Sequence, residues 1–531
     1  MKYDIILRGG TVVDGSNRKP FRADVCVKDG KIAVIAENAA LEADEVLDVT
    51  GKIVAPGFID LHSHSDICPL VSYLPESKIY QGVTSELCGN CGISIFPCCD
   101  EHRAEIEQYC ASELEIPMLD TKITTYTTGQ YSDYIKNRPC SSNYAMLVGH
   151  GTLRGCIMGF EDREPTEEEM DAMAARLESE MQEGAFGLSL GLAYPPSCFA
   201  KTNELEKLAA VAAKYNGILA VHMRDECGGV LESVQEMIDI AEHTGVHVQI
   251  SHLKIMQTTN WHLFPQEIAM IDAANERGLH ITCDQYPYEA SALALSAMLP
   301  HWAHDGGNEA ILENTRHPSG KLFAEMEQKV NGRGGPDGIV VCSTRGRRED
   351  WEGKTLRQIA DSLGVDPLQG VLEILKACGT EVFIITFAQD LGIVRQIFCR
   401  SDIATVSDGY NLSMNPEITR DKLHPRCFGT FPHALEWARN EKLLPLETVV
   451  YKMTGLPAAM MGLSERGTLE VGKAADITVF DAETVADNAT YSEPMRKPSG
   501  IEYVLVAGQI ILRGGKITEA KPGKALLHGR D

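Results

Sequence analysis

The amino-acid sequence predicts an α/β fold: a TIM-like (β/α)8 barrel with a small β-sandwich domain built from both chain termini and an insertion between the last barrel strands. Three observations predict this fold. Apolar, strand-like runs alternate with helical segments through the middle of the chain. The strands that end at His222, His252 and Asp284 have ends 30 and 32 residues apart, which is the length of one βα unit. Both ends of the chain instead carry short β-prone runs between Gly and Asp turns.

The terminal regions, residues 1–56 and 465–531, are predicted to form one discontinuous β domain. The expected strands are 5–7, 25–28 and 32–35 in the first region, and 467–473, 476–480 and 503–506 in the second. Because the same pattern occurs at both ends, the two regions are expected to build a shared sandwich beside the barrel.

Residues 57–464 are predicted to contain the barrel. A capping box at 166–169 indicates a helix that ends near Gly184, and Asn203 with Glu206 is expected to cap the next one. Two further helices are expected at about 230–245 and 265–277. The expected barrel strands are 58–62, 83–87, 145–148, 186–190, 218–222, 246–252, 279–284 and 403–406.

More than a hundred residues separate Tyr288 from Ile403, too many for one connection. This stretch contains two further strand-like runs, at 339–341 and 382–385. We therefore expect an inserted subdomain at about 289–345.

The amino-acid composition limits which kinds of molecule the protein is expected to bind. The 531 residues include 49 Lys+Arg and 75 Asp+Glu, a formal net charge of −26. A chain this acidic, without a basic run, is not expected to bind nucleic acid or an anionic membrane. The N-terminus does not resemble a signal peptide and no run of about 18 apolar residues occurs, so we expect a cytoplasmic protein with reduced cysteines.

Four histidines are placed to bind a metal ion. His62 and His64 follow a predicted strand, where side chains two residues apart share a face. His222 and His252 end two successive barrel strands, at the rim where such barrels carry their catalytic groups. A single histidine there is more often structural, but four imidazoles from three strands favour zinc over magnesium or calcium.

Two further residues are candidates with strong structural alternatives. Asp408 ends the last predicted strand and can bind a metal or accept a proton, although an Asp-Gly pair is also a common turn. Cys91 ends the second strand between glycines, and a thiolate is a good zinc donor. A zinc ribbon would need a second Cys-x-x-Cys pair, which the sequence lacks.

Several motifs resemble those of the metal-dependent amidohydrolase superfamily and, within it, of the N-acyl-D-amino-acid deacylases (D-aminoacylases), over nearly the whole length. The superfamily motifs are GGTVVDG at 9–15, VAPGFIDLHSH at 54–64 and GKAAD at 472–476. More specific to the deacylases are GNCGIS at 89–94, GHGT at 149–152, YPY at 286–288 and HPRCFGT at 424–430.

The resemblance implies a ligand set and an activity. It implies a tight zinc site at Cys91, His222 and His252, and a second, weaker site at His62, His64 and Asp408. It also implies that the substrate carboxylate is held by Arg426, Lys254 and Tyr286. The segment 409–425 looks longer than is usual in the family, which makes Arg426 the residue most affected by this difference.

The implied reaction is hydrolysis of an N-acyl-D-amino acid to a carboxylate and a free D-amino acid, by metal-activated water with Asp408 as acid and base. The fourth strand offers no lysine for a carboxylated, metal-bridging side chain. Two alternatives stay open: an amidohydrolase acting on cyclic amides or dipeptides, and a non-catalytic metal-binding scaffold. The expected partner is a small-molecule substrate, and the number of subunits is left open.

Overall fold

The computed structural model describes residues 2–37, 41–114 and 126–531. Its strands are β1 (Tyr3–Val12), β2 (Phe21–Lys28), β3 (Lys31–Ala36), β4 (Ala43–Asp48), β5 (Ile53–Pro56), β6 (Phe58–Asp60), β7 (Val83–Cys88), β8 (Asn143–Met146), β9 (Val148–Gly149), β10 (Gly187–Gly191), β11 (Ile218–His222), β12 (His247–Ile250), β13 (Ile281–Gln285), β14 (Ala290–Ala294), β15 (Ile339–Ser343), β16 (Phe383–Phe387), β17 (Ile403–Thr405), β18 (Ile477–Phe480), β19 (Ile501–Val506), β20 (Gln509–Arg513) and β21 (Lys516–Ile517).

The helices are α1 (Arg103–Glu113), α2 (Thr128–Asn137), α3 (His150–Met158), α4 (Glu167–Glu183), α5 (Thr202–Lys214), α6 (Val230–Thr244), α7 (Phe264–Glu276), α8 (Asn308–Arg316), α9 (Gly320–Gly332), α10 (Gly335–Gly338), α11 (Leu356–Leu363), α12 (Pro367–Cys378), α13 (Leu391–Phe398), α14 (Arg426–Glu441), α15 (Leu446–Lys452) and α16 (Gly455–Met461). Short 3-10 helices lie at Cys68–Leu70, Ile79–Gln81, Ser197–Phe199, Trp261–Leu263, Leu295–Met298, His301–His304 and Glu349–Trp351.

Parallel strands form the centre of the molecule. One sheet has the order β17-β13-β12-β11-β10-β9 and another the order β6-β7-β8, and within both the neighbouring strands run parallel. Only Leu147 separates β8 from β9. At the other junction a parallel bridge joins Ser63, just after β6, to Gly409, just after β17. The carboxyl ends of the parallel strands therefore face one region.

Helix α4 illustrates how the sequence forms the helical layer. The Thr166 hydroxyl accepts a hydrogen bond from the Glu169 amide, and the Glu169 carboxylate accepts one from the Thr166 amide. This capping box satisfies backbone donors that a helix start leaves unpaired. Met173 and Leu177, one turn apart, are fully buried against the sheet. The helix ends at Gly184, whose φ of 113° is a conformation that favours glycine.

Both chain ends enter one sheet, with the strand order β21-β20-β19-β18-β5-β1-β2-β3 and β4 paired to β1. The antiparallel pairing of β5 with β18 connects the two ends. Between β13 and β17, strands β14, β16 and β15 form a small antiparallel sheet. Helices α8, α9, α11 and α12 bury their apolar faces against this sheet in one cluster.

Some local predictions were wrong. Helix α5 begins after Lys201, and no side chain caps it, so Asn203 and Glu206 do not form the expected cap. Residues 467–473 form no strand; Gly467 instead packs closely on Ala458 and Thr454. Strands β4, β5, β14, β20 and β21 were not predicted. Among the residues that the structure describes, no helix combines the length and apolar character needed to span a bilayer.

A buried ion pair lies beneath the junction of β6 and β17. Lys78 Nζ donates to Asp60 Oδ2 at 2.5 Å and also to the Ser407 hydroxyl. The Ser407 amide donates to the other oxygen of Asp60 at 3.0 Å. Lys78 and Asp60 are fully buried, so removing one partner leaves the other charge without compensation. The pair therefore fixes the two strand ends from which the residues described below project.

We predict that Lys78→Met lowers the thermal unfolding midpoint strongly, because loss of one partner of a buried ion pair costs about 3–5 kcal/mol. Circular dichroism on heating measures the midpoint. Lys207→Met is the matched control, because Lys207 pairs with Asp171 on an exposed surface where such pairs contribute little. Equal shifts for the two variants would contradict the structural importance of Lys78.

Candidate metal centre

Six buried side chains with metal-binding atoms meet at the carboxyl ends of the parallel strands, and all six were predicted from the sequence. They come from the segments after β6 and β7, from β11 and after β12, and from the segment after β17. They are His62, His64, Cys91, His222, His252 and Asp408. Because they lie at the ends of five parallel strands, with His62 and His64 both after β6, the strand arrangement itself brings them together.

Three of them form a first group around a single point. Cys91 Sγ lies 3.5 Å from His252 Nε2 and 3.9 Å from His222 Nδ1, and these two nitrogens are 2.9 Å apart. Around a tetrahedral zinc ion, two nitrogen ligands lie about 3.3 Å apart and a nitrogen and a sulfur about 3.5 Å apart. The spacing and the chemistry of this group therefore fit zinc.

A second group shares Cys91 with the first. Asp408 Oδ1 lies 3.2 Å from His62 Nε2 and 3.1 Å from His64 Nε2. Cys91 Sγ is 3.4 Å from His62 Nε2. The thiolate thus stands between two sets of ligand atoms, and the arrangement could hold two metal ions with Cys91 common to both.

Two carboxylates lie behind the histidines and were not predicted. Glu226 Oε1 is 3.1 Å from His252 Nδ1, and Glu226 Oε2 is 3.5 Å from His222 Nε2. Asp284 Oδ1 is 3.5 Å from His62 Nδ1. Metal-binding imidazoles commonly donate their far N–H to a carboxylate, which leaves the near nitrogen free for the metal. This pattern supports the fit to a metal ion independently of the ligand distances.

The electrostatic surroundings favour charged ligands. Burial alone would raise the pKa of Cys91, but the His62 and His252 imidazoles hold it well below the ordinary thiol value. Burial likewise opposes ionisation of Asp408, yet the Arg426 guanidinium and His62 keep its pKa well below the usual range. A thiolate and a carboxylate are the forms that bind zinc.

The loop that carries Cys91 is held tightly against strand β10. The Ser189 hydroxyl accepts from the Gly92 amide at 3.0 Å and donates to the Gly89 carbonyl. A Cβ atom at Gly191 would lie 2.0 Å from the Cys91 carbonyl oxygen. Strand β10 therefore approaches the Cys91 loop too closely for a side chain at Gly191, and it carries no lysine.

Backbone strain accompanies three of these positions. Cys91, His252 and Asp408 have φ values of 52°, 38° and 49°, in the left-handed region that non-glycine residues rarely adopt. Each such residue costs on the order of 1–3 kcal/mol and persists only where its surroundings fix it. Here hydrogen bonds fix two of them: the His252 amide donates to Asp284, and the Asp408 amide to the His62 carbonyl.

The candidate metal ligands border a cavity. The residues expected to hold a substrate carboxylate, Arg426, Lys254 and Tyr286, also line it. Arg426 Nη1 donates to Asp408 Oδ2 at 2.7 Å, and its guanidinium lies 4.9 Å from the centre of the Tyr286 ring. The long segment 409–425 therefore still returns Arg426 to Asp408. Lys254 Nζ donates to Glu226 Oε1 at 2.6 Å, so its role as a carboxylate ligand stays a prediction.

Fold and site together define an α/β protein with a metal-binding site at the carboxyl ends of parallel strands. The chain belongs to the amidohydrolase family, whose model matches residues 45–288 and 418–512. An N-acyl-D-glutamate deacylase of Alcaligenes xylosoxydans xylosoxydans is 35% identical over 96% of this chain and 93% of its own length. A D-aminoacylase of the same organism is 33% identical over 99% of this chain and 97% of its own.

A solved structure agrees along the whole chain. The N-acyl-D-glutamate deacylase of Bordetella bronchiseptica, in complex with zinc and a phosphonate inhibitor that mimics the tetrahedral intermediate, superposes with a TM-score of 0.84. It is 32% identical, and the match covers 99% of this chain and 100% of that chain.

We predict that Cys91→Ser lowers the zinc bound per chain, because a hydroxyl is a much weaker zinc donor than a thiolate. Inductively coupled plasma mass spectrometry of the purified, dialysed protein measures the metal. Cys399→Ser, at an exposed cysteine, should keep wild-type zinc. Undiminished zinc in Cys91→Ser would exclude the thiolate as a required ligand.

Proposed function

We propose that this protein is a zinc-dependent hydrolase that converts N-acyl-D-amino acids to a carboxylate and a free D-amino acid. The convergence of Cys91, His222 and His252 on one point carries the proposal. Support for the amide substrate and its D configuration comes from relatives and a solved structure that are deacylases of N-acyl-D-amino acids, matched over nearly the whole chain.

The tight zinc site is assigned to Cys91, His222 and His252, and a weaker second site to His62, His64 and Asp408. Zinc supplies two kinds of chemistry when bound: it activates water at neutral pH and polarises a carbonyl oxygen. Glu226 and Asp284 orient the imidazoles through their far nitrogens. Both carboxylates contact the ring nitrogens that point away from the groups of ligand atoms, so their assigned role is to position the imidazoles.

Asp408 is assigned the proton transfer. As water adds to the acyl carbonyl carbon, the Asp408 carboxylate accepts the proton that the water loses. As the C–N bond breaks, the same carboxyl group donates that proton to the leaving nitrogen, which departs as the amine of the D-amino acid. The Asp408 carboxylate lines the same cavity as Cys91, His222 and His252, where the water and the scissile bond would lie, which supports this assignment.

Arg426 is assigned to the α-carboxylate of the substrate, with Tyr286 and Lys254. A guanidinium can bind a carboxylate through two parallel hydrogen bonds, and Arg426 is buried at the same cavity as the ligand atoms. With the α-carboxylate and the acyl carbonyl both fixed, the side chain has one open direction. One configuration at Cα then places the side chain there, which accounts for a preference for D over L.

We also infer how the strands that carry this site are arranged into domains. The core strands are inferred to close into a (β/α)8 barrel, supported by the Ser63–Gly409 bridge at one junction and the continuation of β8 into β9 at the other. Residues 1–56 and 465–531 are inferred to form the β-sandwich domain beside a barrel at 57–464. The insertion is inferred to extend beyond 345, because β16 pairs with both β14 and β15. The cytoplasmic location stays a prediction.

We expect zinc-loaded protein to release acetate from N-acetyl-D-methionine or N-acetyl-D-glutamate, and to act on the L enantiomers at least about tenfold more slowly. Chelation should abolish release and zinc should restore it. Equal rates for both enantiomers would refute the D assignment. Turnover of hydantoins or dipeptides in place of N-acyl amino acids would indicate a different amidohydrolase, and bound zinc without any turnover would indicate a scaffold.

Asp408→Asn should lower kcat by about a thousandfold, because an amide cannot accept the proton from water. The zinc of the tight site should remain bound, because Cys91, His222 and His252 are unchanged. Asp402→Asn is the matched control, since Asp402 pairs with Arg400 at the surface and should keep full activity. Near-normal turnover of Asp408→Asn would remove its catalytic assignment.

A further inference from the structure

A second cavity lies between the metal centre and the insertion. Its volume is about 530 Å³. Four residues line both this cavity and the one around the metal ligands: Tyr194, His222, Glu226 and Arg333. The two cavities therefore share part of their walls, and Arg333 borders both, so a group of a substrate bound at the metal centre can reach this cation.

Two cations of the insertion face this second cavity. Lys329 lies in the last turn of α9, and Arg333 directly follows the helix one turn later. Neither forms an ion pair with any carboxylate of the described residues, and the hydrogen bond found for Arg333 goes from Nη1 to Met256 Sδ at 3.6 Å. By contrast Arg224, on the barrel side of the same cavity, is neutralised by Glu236 at 3.0 Å.

The two cations are close enough to affect each other. Burial, together with the neighbouring Arg333, lowers the pKa of Lys329 to about 8. The nearby acids do not remove this excess of positive charge. Glu226 is paired with Lys254, Glu325 with Lys321 at 3.7 Å, and Asp225 is a single charge against two.

The end of α9 is firmly positioned. Gly332 packs so closely on the Gln257 side chain that a Cβ atom there would lie 2.1 Å from Gln257 Nε2. The Gln257 amide in turn donates to the Ala388 carbonyl at 3.1 Å. Gln257 belongs to the loop that follows His252 and Lys254, so Arg333 is held at a fixed distance from the metal ligands.

From this geometry we propose that Arg333 and Lys329 form a subsite for a second carboxylate on the substrate, as an acidic D-amino acid such as D-glutamate carries on its side chain. The inference rests on the proposed function and deepens it by naming the substrate class. Similarity does not decide this point, because one relative is named for D-glutamate and another more broadly as a D-aminoacylase. Two neighbouring cations in a recess beside the reaction centre, one of which also borders the metal-centre cavity, favour an anion there.

The experiment compares kcat/KM for N-acetyl-D-glutamate and the nearly isosteric, neutral N-acetyl-D-glutamine on zinc-loaded enzyme. We expect the acid to be preferred by about tenfold or more, because charge-assisted hydrogen bonds are stronger than neutral ones. Arg333→Met should lower the value for the acid about tenfold and leave that for the amide within about threefold. Lys329→Met should act in the same direction.

Arg316→Met is the control within the insertion, because Arg316 is exposed and pairs with Glu313; it should change neither value. A second pair, N-succinyl-D-alanine and N-acetyl-D-alanine, tests whether the carboxylate is instead recognised on the acyl group. If neither anionic substrate is preferred, or if Arg333→Met lowers the values for acid and amide equally, the subsite is refuted while the deacylase function stands. If no N-acyl-D-amino acid is hydrolysed, the proposed function itself fails.

Discussion

The site depends above all on the junction between β6 and β17, the strands that lie farthest apart in the sequence of the parallel core. The Asp408 amide donates to the His62 carbonyl at 2.9 Å and the His64 amide to the Gly409 carbonyl at 3.0 Å. These bonds place a carboxylate between two imidazoles. Beneath them Lys78 ties Asp60 to the segment before Asp408, so a disturbance there would move ligands on both strands at once.

A second constraint is the close packing of the Cys91 loop on β10. The lack of a side chain at Gly191 lets the loop approach, and Ser189 then fixes it through two backbone contacts. The thiolate consequently occupies the space between the two groups of ligand atoms. A thiolate in this position could bridge two metal ions, so the absence of a lysine on β10 is compatible with two metal sites.

Much of this could be predicted from the sequence, for a physical reason. Parallel strands end at one edge, so polar residues at strand ends, such as His222 and His252, must meet. Cys91 needed the resemblance to the deacylases, because one Cys in a glycine-rich loop has many structural explanations. Glu226 and Asp284 were not assigned, since a carboxylate behind an imidazole is set by the loop path and the ring orientation, which residue spacing does not encode.

The candidate metal ligands and the cations at the end of α9 are held by different parts of the molecule. The ligand atoms and Asp408 are fixed by strand ends and cannot vary without loss of the site. The cations at the end of α9 belong to the segment between β13 and β17, which is held near the metal ligands by loop packing such as that of Gly332 against Gln257. Changes in that segment can alter the charge around a substrate's far end without moving the metal ligands. One fold can thus retain one reaction while its preference for the rest of the substrate changes.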